Sequence, residues 1–83
     1  MGRMSAKYFA RELIGFTTAD VYEFWKDMGL VVKDKFGDWA LTELGRSHGG
    51  KISKSNYRPV PTFEFDKIFP MMETFYLKFK GNT

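Results

Sequence analysis

Apolar positions fall into a helical rhythm near the start of the chain. From Ser5 onward, Ala6, Phe9, Ala10 and Leu13 recur at i, i+3, i+4 and i+7, the stripe of an amphipathic helix with Ser5 as N-cap and Gly15 as stop. A second helix is expected after Thr17-Thr18. There Thr17 and Asp20 have capping-box spacing, and Val21, Phe24, Trp25 and Met28 repeat the stripe before Gly29. The period then changes. Leu30-Val31-Val32 and Trp39-Ala40-Leu41 are short apolar runs flanking a polar stretch that contains Gly37, which predicts a β-hairpin. Thr42 to His48 reads as one helical turn, capped by Thr42 and ended by Gly49-Gly50.

The last third is less periodic. Lys51 to Pro61 is polar, with Ser53, Ser55, Asn56, Pro59 and Pro61, and is expected to be a long basic loop or arm. Thr62-Phe63-Glu64-Phe65 alternates as a strand does. Asp66 is placed to cap a last helix that has Ile68, Met72, Phe75 and Phe79 on one face and Pro70 in its first turn. Residues 70–80 also alternate as a strand would, through Phe75, Leu77 and Phe79; the helix is the preferred reading. Met4-Ser5-Ala6 is itself a plausible start, so Met1-Gly2-Arg3 reads as an added leader.

Composition narrows the chemistry. Eighty-three residues, 43% apolar and 18% aromatic, describe one small domain, too short for a deep cleft between two domains. The absence of cysteine excludes disulfides, thiolate metal sites and cysteine nucleophiles, and the lone His48 cannot supply a histidine metal site. No nucleophile or carboxylate stands at a recognisable spacing from His48, so the chain is read as non-enzymatic, with no cofactor and no metal. No apolar run approaches the ~18 residues of a membrane span, and the expected location is the cytoplasm of a bacterial host.

The net charge of +3 is unevenly spread. Residues 1–45 hold six basic and seven acidic side chains, whereas residues 46–83 hold seven and three. The excess lies in Arg46, Lys51, Lys54 and Arg58, a stretch with no acid that also carries His48, Ser53, Ser55, Asn56 and Tyr57. Such a mixture suits phosphate contact by charge and hydrogen bond, with Tyr57 for stacking. Four phosphate contacts would give a slope of about −3.6 in log K against log salt on duplex DNA.

Helix, tight turn, helix and hairpin within about forty residues is the layout of a winged helix-turn-helix. Ala10, the run from Phe24 to Gly29, Trp39 and Leu41-Thr42-Glu43-Leu44-Gly45 resemble the winged-helix half of many bacterial regulators. The continuation through Gly50-Lys51 and Pro61-Thr62-Phe63-Glu64-Phe65 resembles small phage-encoded domains, including C-terminal modules of phage antirepressors. The resemblance covers roughly residues 6 to 69. The turn between the helices departs from the common pattern by one extra residue, with Ile14 ahead of Gly15, and no helix precedes the first. A third wall for the core must therefore come from residues after Leu41.

The resulting expectation is an α+β fold, a small winged helix-turn-helix with an extra C-terminal strand and helix, acting as a nucleic-acid-binding regulatory module, with DNA as the expected partner. The resemblance would place the helix from Thr18 to Met28 in a major groove with Thr18, Ala19, Tyr22, Glu23 and Lys26 exposed, and Lys33 and Lys35 on the wing. Asp20, Glu23 and Asp27 outnumber Lys26 on that helix, which opposes approach to phosphates. The alternative is therefore a winged-helix scaffold for protein recognition, such as a phage-encoded inhibitor or adaptor of a host protein, using Asp20, Glu23, Asp27, Phe75 and Phe79. Dimerisation through the aromatic tail would add affinity under either reading.

Overall fold

Local chemistry accounts for the first half of the chain. The structure, a computed structural model, describes residues 2–53 and 59–79. After strand β1 (Arg3–Ser5), helix α1 (Ala6–Glu12) follows Ser5, whose extended backbone makes it the N-cap although its hydroxyl forms no cap bond. Helix α2 (Thr18–Asp27) starts from a full capping box. The Thr17 hydroxyl accepts from the Asp20 N–H at 3.1 Å, and the Asp20 carboxylate accepts from the Thr17 N–H at 3.0 Å, an arrangement worth about 1 kcal/mol. Its other end is a Schellman motif. Gly29, at φ 80°, donates to the Lys26 carbonyl and Leu30 donates to the Trp25 carbonyl, both at 2.9 Å, closing two carbonyls the helix leaves open.

Strands β2 (Val31–Lys33) and β3 (Trp39–Leu41) form the expected hairpin, with Val31 opposite Leu41 and Lys33 opposite Trp39. Asp34 builds its loop: one carboxylate oxygen accepts from the Phe36 N–H at 2.9 Å and the Asp38 N–H at 3.0 Å. Helix α3 (Glu43–Ser47) is capped by Thr42, whose hydroxyl accepts from the Gly45 N–H at 2.9 Å and donates to the Gly29 carbonyl at 2.6 Å. One threonine thus ties the start of α3 to the end of α2.

The remaining sheet departs from expectation. Lys51–Ser53 is strand β4 rather than loop, and strand β5 (Val60–Glu64) takes in Val60 and Pro61. Of the expected arm, residues 54–58 lie outside the described part of the chain. The three strands run antiparallel in the order β1-β5-β4, with Met4 opposite Phe63 and Ile52 opposite Pro61. Pro61 is tolerated because β1 pairs only from Thr62 onward, so β5 has a strand on one side alone at that point. Arg3 belongs to this sheet: its guanidinium donates to the Gly49 carbonyl at 2.7 Å and the Thr62 carbonyl at 3.2 Å.

Helix α4 (Phe65–Phe79) agrees with the preferred helical reading of this segment over the strand alternative as far as Phe79, and residue 80 lies outside the described part of the chain. It begins two residues earlier than expected, so Asp66 sits in its first turn rather than at its cap, and Pro70 lies beyond that turn, where it removes an i→i−4 donor. With α4 the fold is α+β, with four helices and two antiparallel sheets among the described residues.

The interior is built around Trp25, which is fully buried. Its ring meets Phe9 edge-on at 5.0 Å and Phe63 at 4.8 Å between centroids, and its indole N–H donates to the Met72 sulfur at 3.4 Å. Aromatic pairs of this geometry contribute about 0.5–1.5 kcal/mol beyond burial. Ala6, Val21, Leu30, Val31, Leu41 and Ile68 complete the core, so the wall that the two opening helices need comes from β5 and α4. Trp39 stays at the margin, half-buried.

Candidate functional site

Two concavities gather five of the residues singled out from the sequence, Arg46 and Lys51 in one and Asp20, Glu23 and Asp27 in the other, and they share no lining residue. The first opens between the hairpin, α3 and β4. Trp39, Ala40 and Leu41 of β3 form one wall, Arg46 and Gly50 the next, and Lys51, Ile52 and Pro59 the third, enclosing about 550 Å³ with Asp34 at the edge. Arg46 is held by its own fold, its guanidinium donating to the Leu41 carbonyl at 3.1 Å. Lys51 is exposed. Lys33 places its ammonium 5.2 Å from the centre of the Trp39 ring, a cation–π distance. At the hairpin tip Lys35 lies 5.2 Å from the ring of Phe36, which is itself largely exposed. Asp34 holds the loop through one carboxylate oxygen, which accepts from both loop amides, and its negative charge remains at the edge of the concavity.

Of the residues expected to meet nucleic acid, Arg46 and Lys51 come together with Trp39, and Lys33 joins them through that ring. Thr18 and Lys26 are exposed on α2 and line neither concavity; Lys26 sits 3.9 Å from Glu23, a surface pair of small energetic weight. Tyr22, expected on the exposed face, is instead half-buried, stacked on Trp39 at 5.0 Å with the rings 6° from parallel. The hairpin covers that side of α2, and burial raises the Tyr22 phenol above its ordinary pKa. Lys54, Tyr57 and Arg58 lie outside the described residues.

The second concavity runs along α2 toward α4. Asp20, Glu23 and Asp27, at i, i+3 and i+7, share one stripe of the helix and line it together with Gly15, Phe16, Phe24 and Tyr76, around about 400 Å³. Phe16, Phe24 and Tyr76 also bound an adjoining apolar pocket of about 150 Å³ with Leu13 and Met72. The ring of Phe24 lies 5.9 Å from Phe16 and stacks on Tyr76 at 6.4 Å. The three acids expected at a partner surface are therefore gathered at one aromatic groove. Phe75 is not in it: half-buried against Phe24 at 5.6 Å, it lines a separate hollow with Met28, Met71, Thr74 and Lys78. The Phe79 side chain lies outside the described part.

Sequence reasoning missed Trp39, Phe16 and Tyr76 as lining residues. Phe16, an aromatic residue just before the Thr17 cap, carries a faint signal, because that position often packs onto the helix it precedes. Tyr76 carries none, being sixty residues away. Among the described residues no helix is long and apolar enough to cross a membrane, and no three His, Asp or Glu side chains gather closely enough to hold a metal ion. No protein family, no curated protein and no solved structure matches the chain.

Proposed function

We propose that the chain is a winged-helix nucleic-acid-binding module of phage or prophage regulatory type, with no catalytic role, acting on DNA from the cytoplasm of a bacterial host. The order α1, turn, α2, hairpin supports the winged-helix reading, and the observation that carries the function is the meeting of Arg46, Lys51 and Trp39 in one open concavity beside Lys33. In this reading the hairpin and β4 face the phosphates, Arg46 offers its remaining guanidinium donors to phosphate oxygens, and Lys33, Lys35 and Lys51 add charge. The acidic stripe of α2 takes no part in the contact, so recognition is mainly of the backbone rather than of base edges.

Fluorescence anisotropy with labelled duplex and single-stranded DNA at 50 and 200 mM salt tests the proposal. Four phosphate contacts from Lys33, Lys35, Arg46 and Lys51 give a duplex slope of about −3.6, roughly a hundredfold loss of affinity across that range. Replacing Arg46 and Lys51 together by alanine should bring the slope to about −1.8. Absence of salt-sensitive binding to either form of DNA removes the proposal.

A further inference from the structure

We propose that the hollow between α2, α4 and the turn before α2 seats an arginine-bearing helix of another protein. Its guanidinium groups lie along Asp20, Glu23 and Asp27, and one leucine-sized side chain enters the adjoining apolar pocket. The seat is built on apolar walls. Phe16 before α2, Phe24 of α2 and Tyr76 of α4 line both the hollow of about 400 Å³ and the pocket of about 150 Å³, which Leu13 and Met72 complete. The Phe24 ring packs on Phe16, Phe75 and Tyr76, so the walls are held in place before a partner arrives. Apolar surface is still left in water here: Tyr76 is 46% exposed, and Ile14, next to Gly15 of the hollow, is 99% exposed.

Charge selects the occupant. The chain carries +3 overall, so only a local field can draw a cation to this face. Asp20, Glu23 and Asp27 are all exposed, against Lys26 beside Glu23. Asp20 gives one carboxylate oxygen to the Thr17 N–H, and Asp27 enters no hydrogen bond or ion pair among the described residues. Their i, i+3, i+7 spacing spreads the acids over about 10 Å of helix axis, so cations at the same spacing on a second helix lying along α2 meet all three. Arginine answers both halves of the surface. Its planar fork pairs with carboxylates and its face stacks on aromatic rings, whereas a lysine ammonium is a point charge. With the leucine anchor this is a helix-in-groove contact. The concavity around Arg46 shares no lining residue with this seat, so the proposal stands whether or not nucleic acid binds there.

Fluorescence anisotropy with a labelled, alanine-based helical peptide containing Arg-Ala-Ala-Arg-Leu-Ala-Ala-Arg tests the seat. The peptide should bind reversibly, about tenfold more weakly at 500 than at 50 mM salt. Lysine in place of every arginine should weaken binding at least about threefold, as should alanine in place of the leucine. Glu23→Lys with Asp27→Lys should cost at least about tenfold. The same variant should instead take up a peptide with glutamate at the arginine positions, which the parent leaves unbound. Glu12→Lys with Glu64→Lys makes an equal change in net charge at exposed residues that do not line the seat, and should alter affinity less than about twofold. Circular dichroism checks that each variant folds. Absence of binding, binding indifferent to salt, equal affinity for the lysine peptide, displacement by spermidine at matched charge, or equal losses in the two variants would overturn the proposal. The peptide series on the unmodified protein decides the matter even if a variant misfolds.

Discussion

Replacing Gly45 by alanine sets two physical arguments against each other. On helix propensity alone the change stabilises, since alanine is favoured over glycine by about 1 kcal/mol in a helix interior. Packing says the reverse. Gly45 is buried in α3, and a methyl group there would run into the carbonyl oxygen of Leu30 and come within 3.3 Å of a Leu41 methyl. Leu30 cannot move aside cheaply: it is fully buried, and its carbonyl accepts from the Thr42 N–H at 3.1 Å. Overpacking of this kind costs about 1–3 kcal/mol, and a disturbed Thr42–Leu30 bond adds about 1 kcal/mol. After the propensity gain, the expected net loss is about 1–3 kcal/mol. For a domain of this size each kcal/mol moves the melting temperature by roughly 4–8 °C, so the variant should melt about 5–20 °C lower. Thermal and urea unfolding followed by the fluorescence of buried Trp25 reads this directly. Gly2→Ala, whose methyl would meet nothing within 4 Å, serves as the control. A Gly45→Ala protein as stable as the parent would refute the close approach of α3 to Leu30.

Thr42→Val removes both the cap of α3 and the bond to the Gly29 carbonyl; a loss of about 2 kcal/mol is expected, seen as a lower urea midpoint with an unchanged slope. Met72→Leu keeps the volume but leaves the buried Trp25 N–H without its sulfur acceptor, so thermal denaturation should show a loss of about 1–3 kcal/mol, most of which disappears when Trp25 is already phenylalanine. Tyr22 has a raised phenol pKa because it is desolvated. Its neutral form therefore contributes stability that is complete below the unfolded value of about 10 and is lost as pH rises through the folded value. Urea midpoints measured from pH 9 to 11.5 should fall in the parent and fall less in Tyr22→Phe, and equal slopes would contradict the burial.

How much of this was legible beforehand follows from the range of the forces involved. Helix α2, its Thr17–Asp20 capping box, the Gly29 terminus, the hairpin and the Thr42 cap all depend on residues a few positions apart, and each is readable in order along the chain. The three acids of α2 are likewise set on one stripe by helical periodicity alone. The β1-β5-β4 sheet was not legible. Arg3 and Glu64 meet across sixty intervening residues, and Lys-Ile-Ser in β4 is too short to display an alternating pattern. Backbone hydrogen bonds join those strands, and nearly any sequence can supply them. The same limit applies to the two concavities. Periodicity places Tyr22 on α2 but not beneath Trp39, and it names Arg46 and Lys51 as basic without bringing them to a shared wall. Sequence therefore determined which groups are charged or aromatic and which helices carry them. Tertiary packing decided which of them face the same space, because burying Trp25 among Phe9, Phe63 and Met72 draws distant elements together and leaves their outer edges side by side.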